Sequence, residues 1–598
     1  MSADQATVSD VLVERLRAWG VERVYGYSGD GINGVMDALR RSDPKVAFVQ
    51  ARHEENAAFM AVAEAKFAGG VGVVMSTQGP GAVHLLNGLY DAKLDHVPVV
   101  AIVGQQRRSA LGSGYMQEID LRALMGDVAS AFLGEASDPA QVPMLVDRAF
   151  RSALARRAPA VVIVPHDVQV APAESPPHAH GVVHTSAVFE SGSVAATEDQ
   201  LRRAVDVLAG AERPVILAGA GARGCRDVLS RLAERMGAAI VTSLRGKTFV
   251  DETHPLCAGT LGHLGTTASA DVLEACDALL IVGANDPWTE YYPAPGQARA
   301  VQIDIDPAQI GNRYPVEVPV VSDAHHALVH LLARIPQAQD ASWGERVRDR
   351  VARWHRIAAR RAEVPMRGVN PEQAVRALGH HVAPGMRVAL DVGSVVYAYA
   401  RQLVVPSDVD VHLSSTLASM GCGVPYGLAA KLSDPARPVL VLAGDGGMQM
   451  TGLNEMLTVA ARWRDWRDPR FVVAVLDNRD LAEVSWEQRE MESAPRFRES
   501  QELPAVDYAA YARLLGLDGV SAGSPDEVEE AWSRAFAAER PCVVHLRTDP
   551  AAPLVPPSQV DVAQLWETLR AEADAGGEHG RAAVELLDAY LAIDEEER

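Results

Sequence analysis

Short apolar runs alternate with helical stretches along this 598-residue chain, and this alternation limits the possible fold more than any other feature. Runs such as VGVVMS (71–76), PVILAG (214–219) and PVLVLAG (438–444) have the length and the β-branched content of buried strands. Strands that alternate with helices form parallel sheets covered by helices, because each parallel connection needs a crossover. The sequence therefore predicts an α/β protein with doubly wound, mainly parallel sheets.

Three α/β units follow one another along the chain, separated by segments of different composition. A chain of this length is also too long for a single hydrophobic core. The predicted parts are a first domain (1–171), a Pro- and Ser-rich linker (172–196), a central domain (197–335), a charged helical connection (336–367), a third domain (368–552) and a helical tail (553–598).

The composition excludes several classes of function. The net charge of −22 produces a surface that repels nucleic acid and anionic lipid. No apolar stretch approaches the ~20 residues of a membrane span, and the polar N-terminus differs from a secretory signal. The five cysteines form neither a disulfide framework nor a zinc pattern. We expect a cytoplasmic enzyme or binding protein without nucleic-acid or membrane partners.

One motif joins two predicted strands of the third domain. AGDGG (443–447) follows the strand PVLVLAG and precedes a helical stretch and the strand FVVAVLDN, which ends at Asn478. Asp445 and Asn478 should therefore lie at two strand ends, and their oxygens suit Mg²⁺, which commonly shares the phosphate oxygens of its ligand. The glycines and the following helix N-terminus favour a phosphate group. Gly-Asp-Gly alone also fits a plain turn; its context favours a Mg²⁺–diphosphate site.

A second Gly-Asp-Gly, at residues 29–31, leads to a strand that runs into Arg52-His53-Glu54. A carboxylate at this strand end could act in acid–base chemistry beside a nitrogen heterocycle, although such residues are commonly solvated or cap helices. Ligands of doubly wound sheets bind beyond the carboxyl ends of the strands, so both strand ends are candidate sites. Common α/β architecture alone also accounts for the repeated plan of the first and third domains.

Taken together, these segments resemble the thiamine-diphosphate enzymes of the pyruvate oxidase and acetolactate synthase type. The Gly-Asp-Gly…Asn segment looks like their diphosphate–Mg²⁺ motif, and RHEENAAFMA (52–61) resembles the segment that carries their cofactor-activating glutamate. The resemblance covers nearly the whole chain and implies pyrimidine-binding, central and diphosphate-binding domains, in that order. GSGYMQE (112–118), STQGPGAVHLLNGLYDA (76–92) and VQIDIDPAQIG (301–311) look closest to pyruvate oxidases and pyruvate:quinone oxidoreductases.

The resemblance assigns roles to individual residues. It implies that Glu54 hydrogen-bonds the aminopyrimidine ring of the cofactor, that Met420 supports the bent cofactor, and that Gln117, Glu483 and Glu487 act near the substrate. The implied Mg²⁺ ligands are Asp445, Asn478 and the carbonyl of Asp480. The other implied contacts of thiamine diphosphate are Gly79, Asn87, Ala418, Ser419, Gly444, Gly446, Gly447, Leu481 and Ala482. Because the family builds each site from two subunits, the resemblance implies a homodimer and favours a homotetramer.

The central domain resembles the one that binds FAD in the oxidases. It carries a formal GxGxxG at 219–224, but the next strand does not end in the acidic residue expected of an NAD site. The resemblance instead predicts FAD contacts at Arg245, Gly262, His263, Leu264, Gly265, Asn285, Asp286, Asp304 and Asp323. Flavin-free relatives carry similar IDIDP segments, so FAD that is absent or only structural is the alternative.

The activity implied by the resemblance is the decarboxylation of a 2-oxo acid, pyruvate by default, with thiamine diphosphate, Mg²⁺ and electron transfer to FAD. One alternative is a non-oxidative carboligase or decarboxylase of the acetolactate synthase type. Another is a silent regulatory subunit, against which the presence of Glu54, Asp445 and Asn478 argues.

Three residues depart from the oxidase pattern. Glu483 stands where pyruvate oxidases carry Phe or Trp, Ala482 where relatives commonly carry Gly, and Met116 where pyruvate oxidases often carry Phe. These departures bear on the substrate more than on the cofactor. The last helix ends in acidic residues that oppose anionic lipid, so we expect it to pack on the protein or face solvent.

Overall fold

Three six-stranded sheets organise the chain, and every strand pair within them is parallel. The computed structural model describes residues 6–174, 177–557 and 562–597. The first sheet contains β1 (Arg23–Gly26), β2 (Ala47–Gln50), β3 (Gly72–Ser76), β4 (Val99–Gln105), β5 (Phe132–Glu135) and β6 (Pro159–Pro165). The central sheet contains β7 (Pro214–Ala218), β8 (Ala239–Thr242), β9 (Cys257–Thr260), β10 (Ala278–Val282), β11 (Arg299–Asp304) and β12 (Val318–Val321). The third contains β13 (Arg387–Leu390), β14 (Asp410–His412), β15 (Val439–Gly444), β16 (Phe471–Asp477), β17 (Asp518–Ala522) and β18 (Cys542–Arg547).

Helices connect the strands and cover the sheets, which confirms the predicted α/β class. In the first domain they are α1 (Val8–Ala18), α2 (Asn33–Arg41), α3 (Glu54–Ala68), α4 (Pro80–His84), α5 (Leu86–Leu94), α6 (Leu121–Met125), α7 (Val142–Arg156) and α8 (His166–Gln169). In the central domain and the connection they are α9 (Glu198–Leu208), α10 (Arg226–Met236), α11 (Thr267–Ala275), α12 (Ala324–Arg334) and α13 (Ser342–Ala362). The remaining helices are α14 (Pro371–Leu378), α15 (Val395–Gln402), α16 (Gly423–Ser433), α17 (Asp445–Gly447), α18 (Leu453–Arg462), α19 (Ala482–Met491), α20 (Arg498–Gln501), α21 (Tyr508–Leu514), α22 (Val528–Phe536), α23 (Val562–Asp574) and α24 (Glu578–Glu596).

The first and third sheets share one strand order, and the central sheet has another. The first runs β2-β1-β3-β4-β6-β5 and the third β14-β13-β15-β16-β18-β17, so both follow the order 2-1-3-4-6-5. The central sheet runs β12-β11-β10-β7-β8-β9, which corresponds to the order 3-2-1-4-5-6. In each order the direction of winding reverses beside the first strand, and the crevice at that reversal is where such sheets bind ligands.

The two Gly-Asp-Gly turns occupy different places in this shared order. The turn at 29–31 follows the first strand of its sheet, whereas the turn at 444–446 follows the third strand of its own. Both nevertheless lie beside the reversal point, because the first and third strands are neighbours there.

Helices α3 and α16 hold the first and third domains together in one continuous core. Helix α3 is apolar on nearly all sides, as expected of a helix that is buried on all faces. Phe59 of α3 meets Tyr426 of α16 edge to face, with 6.3 Å between ring centroids. The start of α3 and the end of the loop before α16 are therefore held in a fixed relation.

The tail helices α23 and α24 pack on the third domain. Leu565, Leu569 and Leu587 share a buried cluster with Trp486 of α19. The acidic end of α24 pairs with the connection α13, where Arg361 donates to Asp594 at 2.6 Å. Among the described residues, no helix is both long enough and apolar enough to cross a bilayer.

The domain boundaries given above stay predictions, and residues 175 and 176 of the predicted linker lie outside the described residues.

Candidate active site

Glu54 lies at the first position of α3, which follows β2 after the short segment 51–53. Its side chain is 11% exposed, and its Oε2 atom lies 2.9 Å from Nδ1 of His84 in α4. His53 caps the helix by accepting a hydrogen bond from the Glu55 amide. The side chains of His53, Glu54 and His84 bring potential metal-ligating atoms within 4.8 Å of one another. Because two of these ligands are imidazoles, this group does not resemble a site for Mg²⁺, which prefers oxygen.

The turn after β3 lies against this carboxylate, and Gln117 lies against the turn. Gly79 has φ +60°, and a Cβ added to it would lie 2.7 Å from Cβ of Gln117, so a larger residue would not fit. A Cβ added to Gly81 would lie 3.2 Å from Oε1 of Glu54. The side chain of Gln78 donates to that of Gln117 at 3.1 Å. The structure thus brings together the predicted residues Glu54, Gly79 and Gln117 at the edge of the first sheet.

The loop that precedes α16 carries Ala418, Ser419 and Met420. Ala418 adopts a left-handed conformation (φ +54°), which is uncommon for a residue with a side chain. The Asn87 amide of α5 donates to the Ser419 hydroxyl at 2.7 Å, and this bond joins the first domain to the loop. A Cβ added to Gly446 would lie 3.1 Å from Sδ of Met420, so the loop also reaches the Gly-Asp-Gly turn.

Asp391 binds this loop through its side chain, and the sequence analysis did not identify it as a candidate residue. Its buried carboxylate follows β13 and accepts hydrogen bonds from the amides of Val392 at 2.8 Å, Gly421 at 2.6 Å and Gly423 at 3.3 Å. Burial raises the pKa of Asp391 to about 6. The available signal was its position at the end of the strand RVALDVG, beside the strand that carries Asp445.

Asp445 and Asn478 lie at the ends of the neighbouring strands β15 and β16, as predicted from their positions in the sequence. The Asp445 carboxylate is buried and accepts from the amides of Gly446 at 3.0 Å and Arg479 at 2.6 Å. Oδ1 of the Asp480 side chain accepts from Arg496 at 2.6 Å, whereas its buried Oδ2 accepts no hydrogen bond from the residues that the structure describes. The Asp480 carbonyl remains the predicted metal ligand.

The surroundings of Asp445 fit a bound cation. Burial and the neighbouring carboxylate of Asp477 raise the pKa of Asp445 to about 8. Asp477 is paired with His545 at 2.7 Å, whereas ionisation of Asp445 beside it is disfavoured, and a cation with oxygen ligands would favour the ionised form of Asp445. Asp445, Asn478 and the Asp480 carbonyl would hold Mg²⁺ here, while Gly444, Gly446, Gly447, Leu481 and Ala482 form the backbone around it.

Glu483 and Glu487 lie one turn apart on the first part of α19, immediately after this loop. Burial and then the charge of Glu487 raise the pKa of Glu483 to about 7, and burial also raises the pKa of Glu487. The charge of His263, from the central domain, lowers both pKa values. Two carboxylates that resist ionisation together therefore lie between the third and central domains.

The nine residues predicted to contact FAD lie at a single edge of the central sheet. They occur at or beyond the carboxyl ends of β8, β9, β10, β11 and β12. Several of them already have partners. Asp323 caps α12, Asn285 donates to Gln309, and His263 contacts the Tyr397 hydroxyl at 2.5 Å and Glu490 at 3.1 Å.

The other predicted FAD positions have mixed environments. At two of these positions the backbone carbonyl is already bound: the buried Arg401 donates to the carbonyls of Leu264 and Gly265 at 3.3 and 3.2 Å. Burial raises the pKa of Asp286 to about 7 and also raises that of Asp304. Gly262 has φ +91°.

The candidate residues therefore form two connected clusters and one separate edge. The Glu54 cluster meets the Asp445 cluster through the Asn87–Ser419 bond, but among the described residues no hydrogen bond joins Glu54 to Asp445 directly. The central-sheet edge approaches the second cluster through His263 and α19.

Comparison with known proteins shows three matches to models of one enzyme family. Residues 6–124 match the N-terminal TPP binding domain of thiamine pyrophosphate enzymes, residues 201–331 match their central domain, and residues 391–546 match their C-terminal TPP binding domain. These matches fall within the predicted pyrimidine-binding, central and diphosphate-binding domains.

Individual relatives are similar over most of their length. The chain is 34% identical to the "Putative thiamine pyrophosphate-containing protein YdaP" of Bacillus subtilis, with 92% of each chain covered. It is 34% identical to the pyruvate oxidase of Lactiplantibacillus plantarum over 74% of this chain and 72% of the relative. It is 31% identical to the acetolactate synthase large subunit of Parasynechococcus marenigrum over 92% of this chain and 89% of the relative. The chain therefore belongs to the family of thiamine-pyrophosphate enzymes.

Proposed function

We propose that this enzyme decarboxylates a 2-oxo acid, pyruvate by default, with Mg²⁺ beside thiamine diphosphate and with FAD as electron acceptor. Thiamine diphosphate would supply the electron sink for breaking the bond to the carboxylate, which leaves as carbon dioxide. FAD would accept the electron pair of the remaining fragment, and water or phosphate would take the acyl group. The protein residues supply binding and orientation. Glu54 presents a buried carboxylate to the pyrimidine end, and Asp445, Asn478 and the Asp480 carbonyl hold the diphosphate end through Mg²⁺.

The observation that carries the flavin proposal is the edge of the central sheet. Its strand order, 3-2-1-4-5-6, is that of doubly wound sheets that bind dinucleotides at the reversal point. The reversal lies between β7 and β10, where the two following loops touch through glycines. A Cβ added to Gly221 would lie 2.7 Å from Cα of Gly283, so only glycine allows this approach. All nine predicted FAD positions lie at or near the same edge.

The site is proposed to be completed by a second copy of the chain. Glu54 and Asp445 lie in separate clusters, and a cofactor held at both ends must contact both kinds of residue. We therefore propose a homodimer in which the first domain of one chain faces the third domain of its partner, and a homotetramer as the favoured assembly.

The alternative is a non-oxidative carboligase or decarboxylase of the acetolactate synthase type. The 31% identity to an acetolactate synthase large subunit over 92% of this chain favours it. In this alternative, the central domain holds either no FAD or an FAD that takes no electrons.

A visible absorption spectrum separates these proposals. The purified protein is recorded before and after anaerobic addition of pyruvate with thiamine diphosphate and Mg²⁺. Flavin bands that bleach support oxidative decarboxylation. Bands that persist point to another substrate or a structural flavin, and a protein that stays colourless after incubation with FAD favours the non-oxidative alternative.

A further inference from the structure

A buried ion pair lies where the three domains meet. Asp95 follows α5, and its side chain is fully buried. The ammonium of Lys66, in α3, donates to Oδ2 of Asp95 at 2.6 Å, to the Leu413 carbonyl at 2.7 Å and to the Tyr426 hydroxyl at 2.8 Å. All three donors of the lysine are therefore used. A buried ion pair is tolerated when hydrogen bonds satisfy its remaining polar groups, as they do here.

The same carboxylate holds the start of the loop that carries Met420. The amide of Ser415 donates to Oδ2 of Asp95 at 3.1 Å, and the amide of Thr416 donates to Oδ1 at 2.9 Å. Asp391 holds the far end of this loop, as described above. Ala418 lies between the two attachments with φ +54°, and a residue in that conformation persists only where its surroundings fix it.

The third partner of Asp95 comes from the central domain. Nη1 of Arg245 donates to the Asp95 carbonyl at 3.0 Å and lies 3.5 Å from Oδ1 of the same residue. Burial opposes ionisation, yet Lys66 and Arg245 hold the pKa of Asp95 well below its usual range. The Arg245 side chain is 26% exposed, which leaves donors for an anionic ligand at the edge of the central sheet.

We propose that Asp95 is a positioning residue that sets the Met420 loop for thiamine diphosphate and couples this loop to Arg245. A ligand anion that draws Arg245 toward itself removes a cation from Asp95, and the carboxylate then binds Lys66 and the loop amides differently. The proposal rests on the thiamine-diphosphate site proposed above, and it does not require that FAD be bound.

The test measures the affinity of the full-length protein for thiamine diphosphate at saturating Mg²⁺, by titration calorimetry. Asp95→Asn keeps the size of the side chain, but its NH₂ group faces donors that the carboxylate now satisfies. We expect at least a tenfold loss of affinity. Asp127→Asn is the matched control, because Asp127 also pairs with a lysine, Lys93 of α5, at 2.8 Å, but its side chain is 69% exposed. The control should stay within twofold of the unmodified protein.

A second variant keeps the proposal falsifiable if Asp95→Asn fails to fold. Arg245→Gln removes a partly exposed side chain, and we expect a threefold or greater loss of thiamine-diphosphate affinity with an unchanged circular dichroism spectrum. Where both single variants fold, the double variant should lose less affinity than the two separate losses combined, because the two residues act through one contact.

Unchanged affinity for thiamine diphosphate in either folded single variant would overturn the proposal. A lower melting temperature would not rescue it, because a residue that only stabilises the fold does not position the loop for the cofactor. Failure of the proposed function gives a different result. A protein that binds thiamine diphosphate but no FAD contradicts the flavin proposal. The Asp95 proposal is still tested in that case, because its variants are compared by their affinity for thiamine diphosphate.

Discussion

The buried pair of Arg489 and Glu572 fixes the tail to the helix that follows the predicted Mg²⁺ loop, and Glu572→Gln should release it. Arg489 of α19 is fully buried, and its guanidinium donates to both carboxylate oxygens of Glu572 in α23, at 2.9 and 3.1 Å. The third guanidinium nitrogen of Arg489, Nη1, donates to the Ser485 carbonyl at 2.9 Å. Removing one partner of such a pair leaves a buried charge uncompensated and typically costs about 3–5 kcal/mol.

Glutamine retains one acceptor oxygen, so we take the lower limit of about 3 kcal/mol for this variant. At about 1.4 kcal/mol for each tenfold change, the opening equilibrium of the tail should rise roughly 150-fold. Hydrogen exchange read by mass spectrometry over α23 and α24 measures this change directly, since exchange of protected amides follows local opening.

The exposed pair of Arg367 and Glu578 provides the control. Its atoms are 2.8 Å apart, but the side chains are 65% and 72% exposed, and such pairs contribute about 0–1 kcal/mol. Glu578→Gln should therefore change exchange by at most about fivefold. Equal exchange rates in the two variants would refute the argument that the Arg489–Glu572 pair stabilises tail docking because it is buried.

The same pair predicts how tail docking depends on pH. Although burial opposes ionisation, Arg489 holds the pKa of Glu572 below its ordinary value. A carboxylate whose pKa is lowered on folding stabilises the fold above its unfolded value, which is about 4.3, and loses that contribution as the pH falls through the folded value. Burial and then Arg489 also lower the pKa of the neighbouring His579 of the tail. Tail exchange, corrected for its intrinsic rate, should therefore be flat above about pH 7.5, rise as the pH falls through about 6.5, and rise again below about pH 4.

Four further predictions concern the candidate site. Glu54→Gln should abolish turnover while circular dichroism shows an intact fold; near-normal activity would remove Glu54 from its proposed role. Asp445→Asn should abolish the Mg²⁺ dependence of thiamine-diphosphate binding, measured by calorimetry with and without EDTA. Asp391→Asn places an NH₂ group against loop amides, which costs about 1–3 kcal/mol and should weaken cofactor binding at least fivefold. Because the pKa of Glu483 is about 7, the KM for an anionic 2-oxo acid should fall as the pH is lowered from 8 to 6, and Glu483→Gln should remove that change.

Five strands without a long apolar run in the sequence all lie at sheet edges. They are β5, β9, β12, β14 and β17. Interior strands are covered on both faces and paired on both sides, so they need long apolar runs that the sequence displays. An edge strand is paired on one side only and can be short and partly polar, as in the half-exposed β5 and β17. Its assignment depends on the neighbouring strand that it pairs with.

The candidate site divides in a similar way. The strand-end positions of Asp445 and Asn478 could be predicted, because each residue follows an apolar run in the sequence. Since the two strands are parallel neighbours, their carboxyl ends lie at the same edge of the sheet. Asp391 and Asp95 could not be predicted, because their partners are backbone amides 30 and 321 residues away along the chain. Asp391 does stand at the end of a strand, but that position does not show which distant amides its carboxylate binds.

The sequence by itself determined the α/β class, the order of three domains and the strand-end positions of the cofactor-binding candidates, because these follow from local periodicity and short motifs. Only the tertiary structure decided the strand order of each sheet, the separation of the Glu54 and Asp445 clusters, and the buried ion pairs that join the domains and the tail. Those features depend on contacts between residues far apart in the chain, where burial and charge act together and leave no local trace.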